Sequence, residues 1–178
     1  MRTRVRVAWV CGALWLAIPW PSLAQWSGWD YDYDREKKPW SEIQAQIPPY
    51  PQENNLIVFE AGGASPHHFY IDGTSISIGE DGVVRYTLVV KAAGGATNVS
   101  FEGIRCSTRE QKIYAIGKKD GTWMRPRDPQ WRRIEYQEVN RQHGVLYSDF
   151  FCNGKRTVKT VADAVRLLKY PPVTSTAN

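Results

Sequence analysis

From residue 55 onward, short runs of alternating apolar and polar positions are parted by turn residues. LIVFEA (56–61) is a short apolar strand. HHFYID (67–72) and SISIG (75–79) give two more, separated by Asp72-Gly73, and GEDG (79–82) is a turn signal. VVRYTLVVK (83–91) is the strongest strand pattern in the chain. Val84, Tyr86, Leu88 and Val90 fall on one face, and Val83, Arg85, Thr87 and Val89 on the other. Valine on both faces predicts a central strand covered on both sides. After the loop AAGGAT, the stretch NVSFEGIRC (98–106) pairs back, with an imperfect alternation in which Gly103 is a candidate bulge. QKIYAIGK, the turn KDG and the strand start TWM complete an antiparallel meander over 75–124.

Residues 125–144 are polar and proline-punctuated, a long excursion with one ordered piece at 131–139. VLYSDFFC (145–152) reads as a final strand. In TVKTVADAVRLLKYPP, Val158, Val161, Ala162, Val165 and Leu168 fall on one helical face. Thr160 and Asp163 fit a capping pattern, and Pro171-Pro172 stops the helix. The expected class is α+β: one domain over 55–170, an antiparallel sheet with a C-terminal amphipathic helix packed on it. A loose tail is expected at 171–178.

The start of the chain has a different character. Arg2, Arg4 and Arg6 precede an apolar run from Val7 to Ile18, then Pro19, Pro21 and the small-residue ending Ser22-Leu23-Ala24. That order is a secretory signal peptide over 1–24, cleaved after Ala24. The apolar run is shorter than the roughly 20 residues a spanning helix needs. No cysteine stands at the cleavage point, where Gln25 follows, so the pattern argues for a soluble product and against a lipid anchor. Removing three leader arginines from a formal charge of +5 leaves +2. So balanced a remainder argues against nucleic acid as a partner. The charge is uneven: seven acids and three bases lie in 25–60, eleven acids and seventeen bases in 61–178.

Residues 25–54 are aromatic, acidic and proline-rich. Trp26, Trp29, Tyr31, Tyr33 and Trp40 crowd beside Asp30, Asp32 and Asp34. PWSEIQAQI has the makings of one short helix, ended by Pro48-Pro49, and the rest reads as extended or disordered. Rings and acids together fit a segment that docks by its rings and is steered by its charge. Its two destinations are a partner and the domain's own basic loop MRPRDPQWRRIEY, where Arg125, Arg127, Arg132 and Arg133 surround Trp131. Arginine beside an aromatic platform suits anionic polymers or glycans, and equally an ordinary solvated loop.

Loss of the leader leaves two cysteines, Cys106 and Cys152. An even count in an exported chain favours a disulfide. Neither lies in a CxxC or CxH pattern, and a catalytic thiol needs a base that sequence does not place. His67-His68 with Asp72 is the most metal-like cluster, but neighbours on a strand face opposite ways, so no metal site is assigned. KAAGGAT joins two strands and lacks the following helix of a phosphate loop. No GxSxG or HExxH motif appears, and no cofactor is expected. Glu102 and Glu110 are conceivable paired carboxylates. Glu102 reads more simply as a solvated or ion-paired strand residue.

The segments DGVVRYTLVV, GATNVSFEGIRC, KIYAIGKKDGTW and SDFFC together resemble the cryptic neisserial protein family of Gram-negative bacteria, over roughly Asn55 to Leu168. The resemblance implies a periplasmic location, an unassigned biochemical role, and Cys106 and Cys152 as part of the domain framework. Family members are often described as lipoproteins, which the resemblance would imply; this chain departs there, with no cysteine at the cleavage point. It supplies no catalytic residue. Two functions stand as expectations. The first is a non-enzymatic periplasmic module that binds an envelope protein or glycan. The second is a hydrolase acting on cell-envelope material through an acid/base site on strand residues. A deep pocket with convergent Glu and His would favour the hydrolase, and a shallow aromatic groove the binder.

Overall fold

The computed structural model describes residues 39–62, 65–135 and 141–171. Residues 1–38, which hold the expected leader and Trp26, Trp29, Tyr31 and Tyr33, lie outside the described residues, as does the tail from 172. Strands β1 (Leu56–Phe59), β2 (His68–Ile78), β3 (Val83–Lys91), β4 (Thr97–Arg105), β5 (Glu110–Gly117) and β6 (Trp123–Met124) form one antiparallel meander in sequence order. A further strand, β7 (Arg132–Arg133), also pairs with β5. The class is α+β, as the periodicity predicts.

The sheet is built around β3, which pairs with β4 without interruption from Val83↔Arg105 to Lys91↔Thr97. Its first seven residues are buried, so both faces are covered, as valine on both faces requires. Strand β2 is a single strand where the sequence suggests two. Asp72 accepts the N–H and hydroxyl of Thr74, at 2.9 and 2.7 Å. Ser75 Oγ donates to the Asp72 carbonyl and accepts the Thr87 N–H. These side chains satisfy the backbone across an irregularity in register between Asp72 and Ser77, so the chain continues without a turn.

The expected bulge at Gly103 lies elsewhere. The register between β4 and β5 slips between Phe101↔Ala115 and Glu102↔Ile113, which makes Tyr114 the extra residue. Gly103 has a different reason to be glycine: a Cβ there would lie 2.8 Å from Tyr114 Cε2 and 2.9 Å from Val83 Cγ1. The Tyr114 ring occupies the space a side chain would take.

Beyond the sheet, VLYSDFFC departs from expectation. It is not a strand but the continuation of helix α1 (Arg141–Val145) into a π-helical segment, Leu146–Phe151. The wider turn brings Leu146, Phe150 and Phe151 inward together, whereas a strand would turn one phenylalanine outward. Phe151 packs on Tyr86 at 5.0 Å between ring centres, and Phe150 on Phe59 at 5.9 Å. Only Cys152–Asn153 is extended (β8), paired with Arg156–Thr157 (β9). Of the piece expected ordered at 131–139, β7 and buried Ile134 are seen, and 136–140 lies outside the described residues.

Helix α2 (Val161–Lys169) starts where Thr160 predicts: the Thr160 hydroxyl oxygen accepts the Asp163 N–H at 3.0 Å. Its inward stripe is Ala164 and Leu168, while Val161 and Ala162 are exposed and Val158 precedes the helix. The helical layer covers the sheet face of Val84, Tyr86, Leu88 and Ile104. A disulfide between Cys106 and Cys152, with Cα atoms 5.6 Å apart, ties that layer to the end of β4. No helix among the described residues is long and apolar enough to cross a membrane.

Candidate functional site

The opposite face of the sheet, that of Arg85, Gly103 and Tyr114, is covered by residues 40–50. This strap has no regular secondary structure, and the helix expected in PWSEIQAQI does not form. Groups a helix would pair internally are taken by the sheet. The Ile43 N–H donates to Asp81 Oδ2 at 2.9 Å, and the Ile43 carbonyl accepts from Arg85 Nη2 at 2.9 Å. Trp40 Nε1 donates to the Asp81 carbonyl at 2.8 Å. Further on, Pro48, Pro49 and Pro51 fix φ and exclude helix. Trp123 Nε1 donates to the Pro48 carbonyl at 3.0 Å, and Tyr50 packs on Trp123 and donates to the Lys118 carbonyl.

Glu42 is the strap's central anchor. Its carboxylate accepts from Lys112 Nζ at 2.7 Å, Tyr114 Oη at 2.7 Å and Trp131 Nε1 at 3.3 Å. Burial alone would raise the Glu42 carboxyl; these bonds and the Lys112 charge outweigh it and hold it below the usual carboxylate range. Tyr114 is pushed far up, by burial first and then by its bond to Glu42. Asp81 and Arg85 form a buried ion pair at 2.6 Å. Burial opposes both charges, but the pair and the Ile43 bond keep Asp81 low, and Asp81 keeps Arg85 high.

Of the residues expected to interact, the structure brings together Trp40 and Trp131, while Arg125 lines a groove nearby. Trp40 and Trp131 meet edge to face at 6.0 Å, Trp131 meets Tyr114 at 6.4 Å, and Arg105 lies 3.7 Å over the Trp40 ring. Beside the strap runs an open groove of about 330 Å³, lined among others by Ile43, Ile47, Lys112, Tyr114, Arg125 and Pro126. Arg132 lines a smaller hollow beyond Pro126. Arg127 is exposed, and Arg133 sits opposite Glu110 in β7. These last three do not join the groove.

The other face hides a second cluster. Glu102 Oε2 lies 2.8 Å from His143 Nε2 and accepts from Tyr86 Oη at 3.1 Å, while Oε1 accepts from Ser100 Oγ at 2.6 Å. Glu102 is not solvated: the carboxylate and imidazole are 3% and 8% exposed. Burial would raise Glu102, but the His143 charge and three hydrogen bonds hold it below the usual range. Burial would lower His143, and Glu102 lifts it instead. Glu110 lies at the far end of β5, opposite Arg105, so it does not form a carboxylate pair with Glu102. Among the described residues no cluster of three or more His, Cys, Asp or Glu could hold a metal ion. His67 and His68 are exposed, and Asp72 is buried with its carboxylate on Thr74.

Glu42, Asp81, Arg85, Lys112 and His143 are absent from the sequence-based site. One signal pointed that way: Arg85 and Glu102 are charges inside otherwise apolar strands, and buried charges need partners.

No curated protein and no solved structure matches the chain. The model of the CNP1-like family matches residues 35–169, which takes in the strap, the whole sheet and both helices. The chain belongs to the CNP1-like family.

Proposed function

We propose that this is an exported, non-enzymatic interaction module of the periplasm, and that it engages an envelope protein through the groove beside the strap. The leader pattern supports export, and a disulfide suits an oxidising compartment. The groove carries the reading: its lining sets the exposed cation Arg125 beside an apolar edge of Ile43, Ile47, Pro126 and Pro129, with Lys112 already paired to Glu42. That mixture fits an acidic protein segment with apolar side chains. A glycan fits less well. Sugars stack on open ring faces, whereas Trp40, Trp131 and Tyr114 pack edge-on against each other and Arg105 covers Trp40.

The test is photocrosslinking in intact cells from a probe at position 47, which lines the groove. One or few defined envelope proteins should be captured, and Arg125→Glu should reduce capture without changing the melting temperature. Capture independent of that charge, or none, ends the reading.

The hydrolase reading keeps one observation in its favour, the convergence of Glu102 and His143. Their burial sets them among core residues rather than at an open cleft. Release of soluble fragments from envelope material, abolished by Glu102→Gln, would reverse the preference.

A further inference from the structure

The strap is bound the way a peptide ligand is bound. It enters no β-ladder. Its grip comes from discrete anchors: an indole donating to a carbonyl, a carboxylate two residues later in a three-donor cradle, one residue held at both its N–H and C=O, and a proline carbonyl capped by Trp123. Ser41, Ile43, Gln44, Gln46 and Ile47 remain exposed along its length. The covered face is preorganised without it, because the Asp81–Arg85 pair belongs wholly to the β2–β3 turn and β3, and Lys112 and Tyr114 belong to β5. A preformed receptor that closes on a segment tethered at one end is the arrangement of an intramolecular ligand.

We infer that the sheet face of Arg85, Lys112, Tyr114 and Trp131 is a peptide-recognition cleft, and that the strap is its resident competitor. The partner is an extended segment of another protein that presents an indole and, two residues on, a carboxylate, followed by prolines. The cleft and the groove of the proposed function share Lys112 and Tyr114, but the groove needs the strap seated, since Ile43 and Ile47 line it, and the cleft needs it open, so each can fail alone. Arg125 and Arg127 make none of the strap's hydrogen bonds.

The tether sets the competition. A flexibly linked segment has an effective concentration on the order of millimolar. A partner therefore meets an apparent dissociation constant equal to the intrinsic one divided by the fraction of chains with the strap open. This yields an outcome that a strap fixed in the core would not give: weakening the strap strengthens binding in trans. Glu42→Ala removes the carboxylate that fills the three-donor cradle but leaves the cradle itself intact.

The experiment uses the full chain and a fluorescent peptide of residues 40–51, read by anisotropy. Glu42→Ala should bind this peptide about tenfold more tightly than the wild-type chain does, from the loss of charge-assisted bonds. The same peptide with Gln in place of its glutamate should lose that gain. Hydrogen exchange at the Ile43 amide reports whether the strap has opened, and thermal melting reports that the domain is intact. If Glu42→Ala leaves Ile43 protected, the Trp40→Ala/Glu42→Ala chain replaces it. An open strap with no gain in peptide binding overturns the inference. So does an Ile43 amide still protected in the double variant, since the strap is then a fixed part of the core.

Discussion

Replacing Cys106 and Cys152 together by serine should cost about 4 kcal/mol of stability. The bond closes a loop of 46 residues, and chain entropy for that length comes to about 13 cal/mol/K, or about 4 kcal/mol at 25 °C. Local terms change this little. Cys106 is fully buried, but its sulfur lies 3.5 Å from the Phe151 carbonyl, which offers a serine hydroxyl an acceptor. For a domain of this size the loss corresponds to a fall in melting temperature of about 15 °C. Urea unfolding followed by tryptophan fluorescence measures it, on the wild-type chain with and without reductant and on the double variant. Reductant should shift the wild type towards the variant and leave the variant unmoved. A loss below about 1 kcal/mol would refute the loop-closure reasoning, and two titratable thiols in native protein isolated from cells without reductant would refute the bond's role in the cell.

Three further outcomes are expected. The Glu102–His143 pair makes stability depend on pH from both sides. Depressed Glu102 contributes above its ordinary value of 4.5 and loses its contribution as pH falls, while raised His143 contributes fully below 6.5 and is lost as pH rises through its folded value. Melting temperature scanned across pH should therefore carry a maximum between those values that Glu102→Gln flattens; an unchanged profile in the variant would dismiss the pair as its source. Gly103→Ala should destabilise by about 1–3 kcal/mol through the clash with Tyr114 and Val83, and Tyr114→Phe should not relieve it, because the ring carbon itself is in the way; chemical denaturation that finds the alanine neutral would contradict this packing. Thr160→Ala should cost about 1 kcal/mol by removing the α2 cap, and Thr160→Ser should restore most of it in the same assay.

Most of the sheet was legible because its causes are local. Alternation set the faces of β3, glycine-rich turns set the hairpins, and Thr160 set the start of α2. What escaped has non-local causes. The helical turn at 146–151 depends on both Phe150 and Phe151 finding space against Tyr86 and Phe59, strands that lie far away in sequence. The bulge falls on Tyr114 because that ring must reach Glu42, 72 positions distant, across a vacancy left at Gly103. The strap looked helical because PWSEIQAQI runs from Pro39 to a stop at Pro48-Pro49, yet its backbone is claimed by Asp81 and Arg85. The rings and arginines singled out in the sequence part company for non-local reasons: Trp131 turns to the strap, Arg125 lines the groove, and Arg133 pairs along a strand.

The two faces of the sheet are closed by different physics, and that difference says where function is more readily accommodated. The helical face is held by ring packing, a buried ion pair and a covalent bond, so opening it exposes a continuous apolar core and breaks the fold as a unit. The strap face also buries Val83, Val99 and Phe101, but the strap itself is held on it mainly by hydrogen bonds, with several strap residues exposed. Opening it releases polar groups that water can serve and uncovers fewer apolar residues than the helical face holds, at a smaller free-energy cost than unfolding. Segments that exchange, bind or regulate are drawn from the low-stability end of a structure. In this chain that end is the segment whose glutamate sits among Lys112, Tyr114 and Trp131.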